Sequence, residues 1–312
     1  MRIGVLGVGA VGGWFGGRLV QAGYDVVFLA RGETLTRLRE VGLTLIDEHG
    51  ERSIIPVKAA DNWGELTADG VDVDVVIAAT KALPGNDPFP QVPAGAAVVT
   101  THNSVEIPYL AAGRFGEDKV FPGVIRGFFI HTGPAEVTFR PGPMSLNIGT
   151  FDDSTNDLVG AVIEALHMAG LGGEQLPDIW VDIWAKAMFV ANLGALGALA
   201  DSPIGYLRSE MRDSLTRMFE ETEAVGRACG VALPEDIVSR TLAFTDDQGY
   251  DNTSSMQRDY TAGLTNELDA QIGAIRRMGA EGESGNADAG SGVWRSGWAS
   301  TQAYELRAAV LS

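Results

Sequence analysis

Cysteine is almost missing from this 312-residue chain. Cys229 stands alone, so no internal disulfide can form, and a reducing, cytoplasmic setting is the expectation. The four histidines, His49, His102, His131 and His167, lack the short spacing of metal ligands, which argues against a zinc centre. Basic stretches are missing too: 23 Lys and Arg stand against 41 Asp and Glu, a net charge of −18. Nucleic acid and anionic membrane surfaces are therefore poor partners. No segment reads as a secretory leader, and no run approaches the roughly 18 apolar residues of a membrane span. With so large an acid excess, single cations near a cleft gain meaning, and Arg31, Lys81 and Lys186 are the ones to follow.

What is present is a soluble mix, 45% hydrophobic and 21% charged, in a chain long enough for two domains. It opens with the apolar run Ile3-Gly4-Val5-Leu6 and passes directly into Gly7-Val8-Gly9-Ala10-Val11-Gly12. This is G-x-G-x-x-G where a first strand turns into a first helix. Gly7 permits the tight turn, Gly9 lets a pyrophosphate approach the backbone, and Gly12 lets helix and strand pack closely. A purely structural glycine turn is the competing explanation. The position after a strand and before the helical run Trp14 to Ala22 favours a dinucleotide.

Short β-rich runs then alternate with helical or loop segments to about residue 150. Strands are expected at Tyr24 to Ala30, Ile54 to Ala59, Val73 to Ala79 and Ala96 to Thr101. A hairpin is expected from Ala135 to Phe139 and Ser145 to Ile148, turning at Arg140-Pro141-Gly142-Pro143. After Pro177 the pattern becomes helical. Ile179 to Leu199 is apolar on most faces, Glu210 to Cys229 carries one apolar stripe, Pro234 is placed to begin a helix, and Thr265 to Met278 forms another. Gly279 to Gly292 reads as flexible. The expectation is an α/β chain: a Rossmann-type dinucleotide-binding domain over residues 1–175, then an all-helical substrate and dimerisation domain over 176–312, atypical from 280 onward.

Where NAD-binding domains place an acidic residue after the second strand, this chain has Ala30-Arg31-Gly32. A carboxylate repels a 2′-phosphate, whereas a guanidinium pairs with it through two parallel hydrogen bonds, so NADP(H) is expected rather than NAD(H). Polar groups follow the later strands as well, in Thr80-Lys81-Ala82 and Thr101-His102-Asn103-Ser104, where ligands of open α/β sheets bind. Lys186 interrupts the apolar helix between Trp184 and Met188. It either snorkels to solvent or is partly desolvated and able to deliver a proton.

Together these pieces resemble the ketopantoate reductases (2-dehydropantoate 2-reductases). The resemblance is carried by GVGAVGG at 7–13, Ala30-Arg31, Thr80-Lys81-Ala82, His102-Asn103-Ser104, Trp184-Ala185-Lys186, Ser254 to Asp259 and Asn266-Glu267-Leu268-Asp269, in the family's order over roughly residues 1 to 279. It implies that Gly7, Gly9, Ala10, Val11 and Gly12 bind the pyrophosphate and Arg31 the 2′-phosphate. Lys81 and Asn103 would lie by the cofactor and substrate, and Ser255 and Glu267 would bind a small 2-oxo acid. Lys186 would be the general acid in its reduction to the 2-hydroxy acid, within a homodimer. The groups suit the chemistry: a positioned ammonium stabilises charge growing on the ketone oxygen and donates a proton, and an ionised glutamate accepts from an alcohol. Taken alone, Glu267 reads as a solvated carboxylate at a helix N-terminus.

The chain departs from that pattern at three places. Val190 stands where many members have an asparagine one turn after the lysine, with Asn192 about 200° away around the helix. Ser104 replaces a common glycine. The tail after Glu281 lacks the usual Thr-Pro entry into a final helix, as in an ordinary divergent tail or, alternatively, a shifted reading frame. These departures leave open a different 2-oxo acid or an imine as substrate. A non-catalytic NADP(H)-binding sensor of the same fold is the alternative from another class, although a sensor needs neither Lys186 nor Glu267.

Overall fold

Buried valine and isoleucine runs build the sheet of the first unit. The computed structural model describes residues 1–284. They fall into two compact units, one comprising residues 1–82, 87–102 and 107–179, the other residues 83–86, 103–106 and the chain from Trp180.

In the first unit the chain runs β1 (Arg2–Leu6), α1 (Ala10–Gln21), β2 (Asp25–Leu29), α2 (Gly32–Glu40), β3 (Leu43–Ile46), β4 (Arg52–Ile55) and β5 (Lys58–Ala60). It continues through α3 (Trp63–Leu66), β6 (Val75–Ala78), β7 (Ala97–Thr100), α4 (Ile107–Phe115), β8 (Val120–Gly133), β9 (Glu136–Ile148) and α5 (Asp157–Met168). The nine strands form one sheet in the order β4-β3-β9-β8-β7-β6-β1-β2-β5. From β5 to β8 neighbouring strands are parallel, with β1 and β6 buried along their whole length, as a sheet covered on both faces requires. Chain order reverses around β1, which lies between β2 and β6, and this is where open α/β sheets leave a crevice at the strand ends.

Helix α1 reaches the sheet through a glycine face. A Cβ at Gly16 would lie 2.5 Å from the Phe28 ring, and one at Gly13 would lie 2.8 Å from Val137, so alanine at either would push the helix outward. Trp14 fills the space beside them, its ring 5.2 Å from Phe139 in a stacked arrangement.

Several expectations change here. The first helix begins at Ala10 rather than Trp14, directly on the glycine turn. The segment expected as one strand from Ile54 to Ala59 is two. Pro56, without an N–H, ends β4, which pairs antiparallel with β3, and β5 pairs instead with β2 at the far edge. The expected hairpin is a single strand, β9, paired antiparallel with β8. Arg140-Pro141-Gly142-Pro143 is no turn. It coincides with a shift of register between the Arg126↔Ser145 and Phe128↔Arg140 pairs, because prolines cannot sustain the ladder.

The second unit, among the described residues, is helical: α6 (Ile179–Ala200), α7 (Ile204–Ser209), α8 (Arg212–Ala228), α9 (Ile237–Asp246), α10 (Ser255–Thr261) and α11 (Ala274–Ser284). Trp184 of α6 is wholly buried and packs against Gly226 of α8. By length and composition alone α6 qualifies as a membrane span, with a mean hydropathy of 1.5, contrary to the expectation that no such run exists. Yet 61% of that stretch is buried inside the protein, as in a core helix. The helix expected from Thr265 starts later: Asp269–Gly273 form a π-helical turn that runs into α11. Helix α11 extends to Ser284, so residues 279–284 of the stretch expected to be flexible are helical. The remainder of the expected flexible stretch and the divergent tail lie outside the described residues.

Candidate active site

The glycine turn is built so that nothing of its own covers the first turn of α1. Gly9 is the N-cap, no side chain caps the helix, and the first turn holds no acidic residue. The exposed N–H groups and the helix dipole therefore favour an anion. Gly7 has φ +92°, which an L side chain rarely adopts, and a Cβ there would lie 2.9 Å from the Thr80 nitrogen. At Gly12 a Cβ would overlap the Gly7 carbonyl oxygen, whereas at Gly9 it would meet nothing within 4 Å. Gly9 thus borders open space of the kind a phosphate group needs. Ala10 and Val11 supply the first helical N–H groups beside it.

Two cations stand near this turn. The Gly7 N–H points to the Leu29 carbonyl at 3.4 Å, and Arg31, two residues beyond Leu29, is exposed at the N-cap of α2. Lys81, also exposed, follows Thr80, the residue against which Gly7 packs. Sequence reasoning gave the neighbouring His102 no role of its own. The Thr80 hydroxyl donates to the Pro88 carbonyl at 2.6 Å, so its oxygen accepts from His102 Nε2, 3.1 Å away. That leaves Nδ1 as a buried acceptor with no hydrogen-bond partner, with the Phe89 ring edge-on at 5.4 Å. Burial lowers the His102 pKa from 6.5 to about 4 and keeps the ring neutral.

In the second unit Lys186 is half-buried on α6, and Val190, one turn on, is half-buried on the same face. Asn192 is buried elsewhere, donating to the Met188 carbonyl at 2.8 Å and to Thr222 Oγ1 at 2.9 Å. It joins α6 to α8 and is not the missing neighbour of Lys186. The same helix seats α10. A Cβ at Gly194 would lie 2.6 Å from Met256, and one at Gly197 would lie 2.5 Å from Gln257, whose amide donates to the Gly197 and Ser202 carbonyls. Ser254 caps α10, accepting from the Gln257 N–H, and Ser255 is exposed in its first turn. Lys186 and Ser255 therefore stand on two helices locked to each other. Glu267 is half-buried ahead of the π-helical turn, where its carbonyl accepts from the Gln271 N–H at 2.9 Å. The Gln271 side chain is 1% exposed with both amide atoms unpartnered, a feature no sequence pattern announces.

Asn103 lies in the segment 103–106 that clusters with this unit. Ser104, in place of a glycine, is buried and accepts the Glu106 N–H at 3.3 Å, turning the segment locally.

Family models carry these observations to a conclusion. Residues 3–153 match the model of ketopantoate reductase PanE/ApbA, and residues 178–283 match its C-terminal model. The chain belongs to the ketopantoate reductase family. It is accordingly an oxidoreductase of the nicotinamide-dependent kind that reduces 2-oxo acids. A 2-dehydropantoate 2-reductase of Mesorhizobium japonicum is 28% identical over 306 residues, covering 89% of this chain and 91% of that protein. Among solved structures, a 2-dehydropantoate 2-reductase from Methylococcus capsulatus superposes with a TM-score of 0.81 at 23% identity, over 90% of this chain and 91% of that one. A D-mandelate dehydrogenase bound to NADH and anilino(oxo)acetate also gives 0.81, at 20% identity, over 100% of this chain and 97% of its own. At such identities the two structures speak for the fold.

Proposed function

We propose that this ketopantoate reductase family member reduces ketopantoate or a close relative to the 2-hydroxy acid with NADPH, and that Lys186 is its general acid. The observation that carries the reading is the family match across both halves of the chain, with a lysine at 186 inside an otherwise apolar helix. The backbone of Gly7, Gly9, Ala10, Val11 and Gly12 would hold the pyrophosphate, where an uncapped helix start and the open space at Gly9 suit it. Arg31, exposed and with no acidic residue at that position, would pair with a 2′-phosphate, and Lys81 and Asn103 would serve the cofactor and substrate. When bound, reduced nicotinamide supplies a hydride to the carbonyl carbon. The Lys186 ammonium stabilises the negative charge that then grows on the oxygen and donates the proton that makes it a hydroxyl. Ser255 hydrogen-bonds the substrate, and the Glu267 carboxylate accepts from its alcohol. A cytoplasmic homodimer acting on a small anionic substrate completes the proposal.

A second substrate reading has its own support. Val190 removes an amide from the turn after Lys186, and a neighbour of the same fold bears the name D-mandelate dehydrogenase, so a bulkier or more apolar 2-oxo acid, or an imine, is the alternative. The test is loss of NADPH absorbance against a panel of 2-oxo acids that includes ketopantoate. Lys186→Ala should lose at least ~100-fold in turnover with cofactor binding intact. Unaltered turnover in that variant removes the role given to Lys186, and no turnover by the wild type with any member of the panel turns the reading toward a sensor.

A further inference from the structure

Resting on the substrate-binding roles proposed above, we propose that Arg277 is a positioning residue that fixes the Asn103 segment and the Glu267 turn relative to each other. One guanidinium holds both. Its Nε donates to Glu106 Oε1 at 2.9 Å and its Nη2 to Glu106 Oε2 at 2.7 Å, a two-pronged pairing between residues 171 apart in sequence. Its Nη1 donates to Asp269 Oδ1 at 3.0 Å and its Nη2 also to the Asp269 carbonyl at 3.1 Å. Glu106 is three residues after Asn103, and Asp269 is two residues after Glu267.

Local structure at each end makes such a tie useful. Residues 103–106 belong to no helix or strand; Ser104 and Val105 are buried, Ser104 turns the segment, and the pairing at Glu106 ties its end to Arg277. Asp269 is the first residue of a π-helical turn, a geometry that regular helical hydrogen bonding does not impose and that recurs at functional sites. The pair is only partly buried, with Arg277 39% and Glu106 20% exposed, and solvent screening limits what such a pair adds to global stability, so the worth of the arrangement lies chiefly in geometry. A lysine, with a single ammonium, cannot make the planar fork.

The experiment combines hydrogen–deuterium exchange with steady-state kinetics on full-length wild type, Arg277→Met, Arg277→Lys and Arg277→Met/Glu106→Gln. Arg277→Met should raise deuterium uptake in residues 103–106 and 266–270. It should raise KM for the 2-oxo acid roughly tenfold, since small displacements of positioning groups have large kinetic effects. The Kd for NADPH should stay within about twofold, kcat should fall less than KM rises, and the double variant should add little to the single one. Arg277→Lys, which keeps the charge, should resemble Arg277→Met. Uptake unchanged in the two segments overturns the proposal, as does raised uptake with an unchanged KM or full rescue by lysine. A wild type that turns over no 2-oxo acid refutes the proposed function instead, and the exchange measurement still decides whether Arg277 holds the two segments.

Discussion

Acidification from pH 8 to pH 4 should destabilise the wild type more than His102→Gln, and the difference can be worked out from the ring's surroundings. In the folded chain Nε2–H donates to Thr80, and Nδ1 is buried with no partner, so protonation would place a charged N–H where nothing accepts it. The folded pKa of about 4 stands against an ordinary 6.5. Between these values the unfolded chain binds a proton that the folded chain refuses, so the contribution is fully present above pH 6.5 and is lost as pH falls toward 4. At about 1.4 kcal/mol per pH unit, the loss approaches about 3 kcal/mol. Urea unfolding at a series of pH values measures it: the wild-type curve should fall away from that of His102→Gln, which lacks the titrating ring, while carboxylate effects common to both cancel. Parallel curves, or an NMR titration of the His102 ring near 6.5, would refute the reasoning.

Other outcomes follow from the geometry. Arg31→Ala should sharply reduce the affinity ratio of NADPH to NADH, and an unchanged ratio would sink the assignment of the 2′-phosphate. Asn192→Ala should cost about 2 kcal/mol in chemical unfolding, because it leaves a cavity and deprives the buried Thr222 hydroxyl of its donor. Gln271→Met should be neutral or stabilising by about 1 kcal/mol, since it replaces a buried amide with no partners by an apolar chain of similar volume. A large loss in that variant would mean that the amide is satisfied.

Strongly local signals were readable in the chain. The glycine turn, the buried strands at Val75–Ala78 and Ala97–Thr100, and the long apolar helix bearing Lys186 each announce themselves in a few consecutive residues. Non-local pairings were not readable. β3 is only four residues long, and β8 runs from buried apolar positions into exposed ones, so neither shows a clean period of two. Prolines that looked like a turn sit inside β9, because tertiary pairing with β8 overrides local preference. The candidate site divides in the same way. Arg31 and Lys186 can be picked out from the text of the chain and Glu267 only through the family resemblance, whereas the hydrogen bonds around the candidate residues have no sequence signature. The Arg277–Glu106 pair is an example, as are the hydrogen bonds of Thr80 with His102 and Pro88.

The pairing of β3 with β9 constrains how the chain can be made. Thr44 stands beside Glu136 in the finished sheet, and the β3–β4 hairpin touches the rest of the sheet only through β9. On the ribosome, Thr44 to Ile46 must therefore wait for their β9 partners until the chain has been synthesised through Thr138, although Leu43 and Leu45 already have α1 to pack against. Closing so long a loop carries an entropic cost that a local pairing does not, and contacts of this non-local kind generally form slowly. A stall or truncation before that point would release a nascent chain that has its glycine turn but whose β3–β4 hairpin has no strand joining it to the sheet, and unpaired strand edges of this kind favour aggregation.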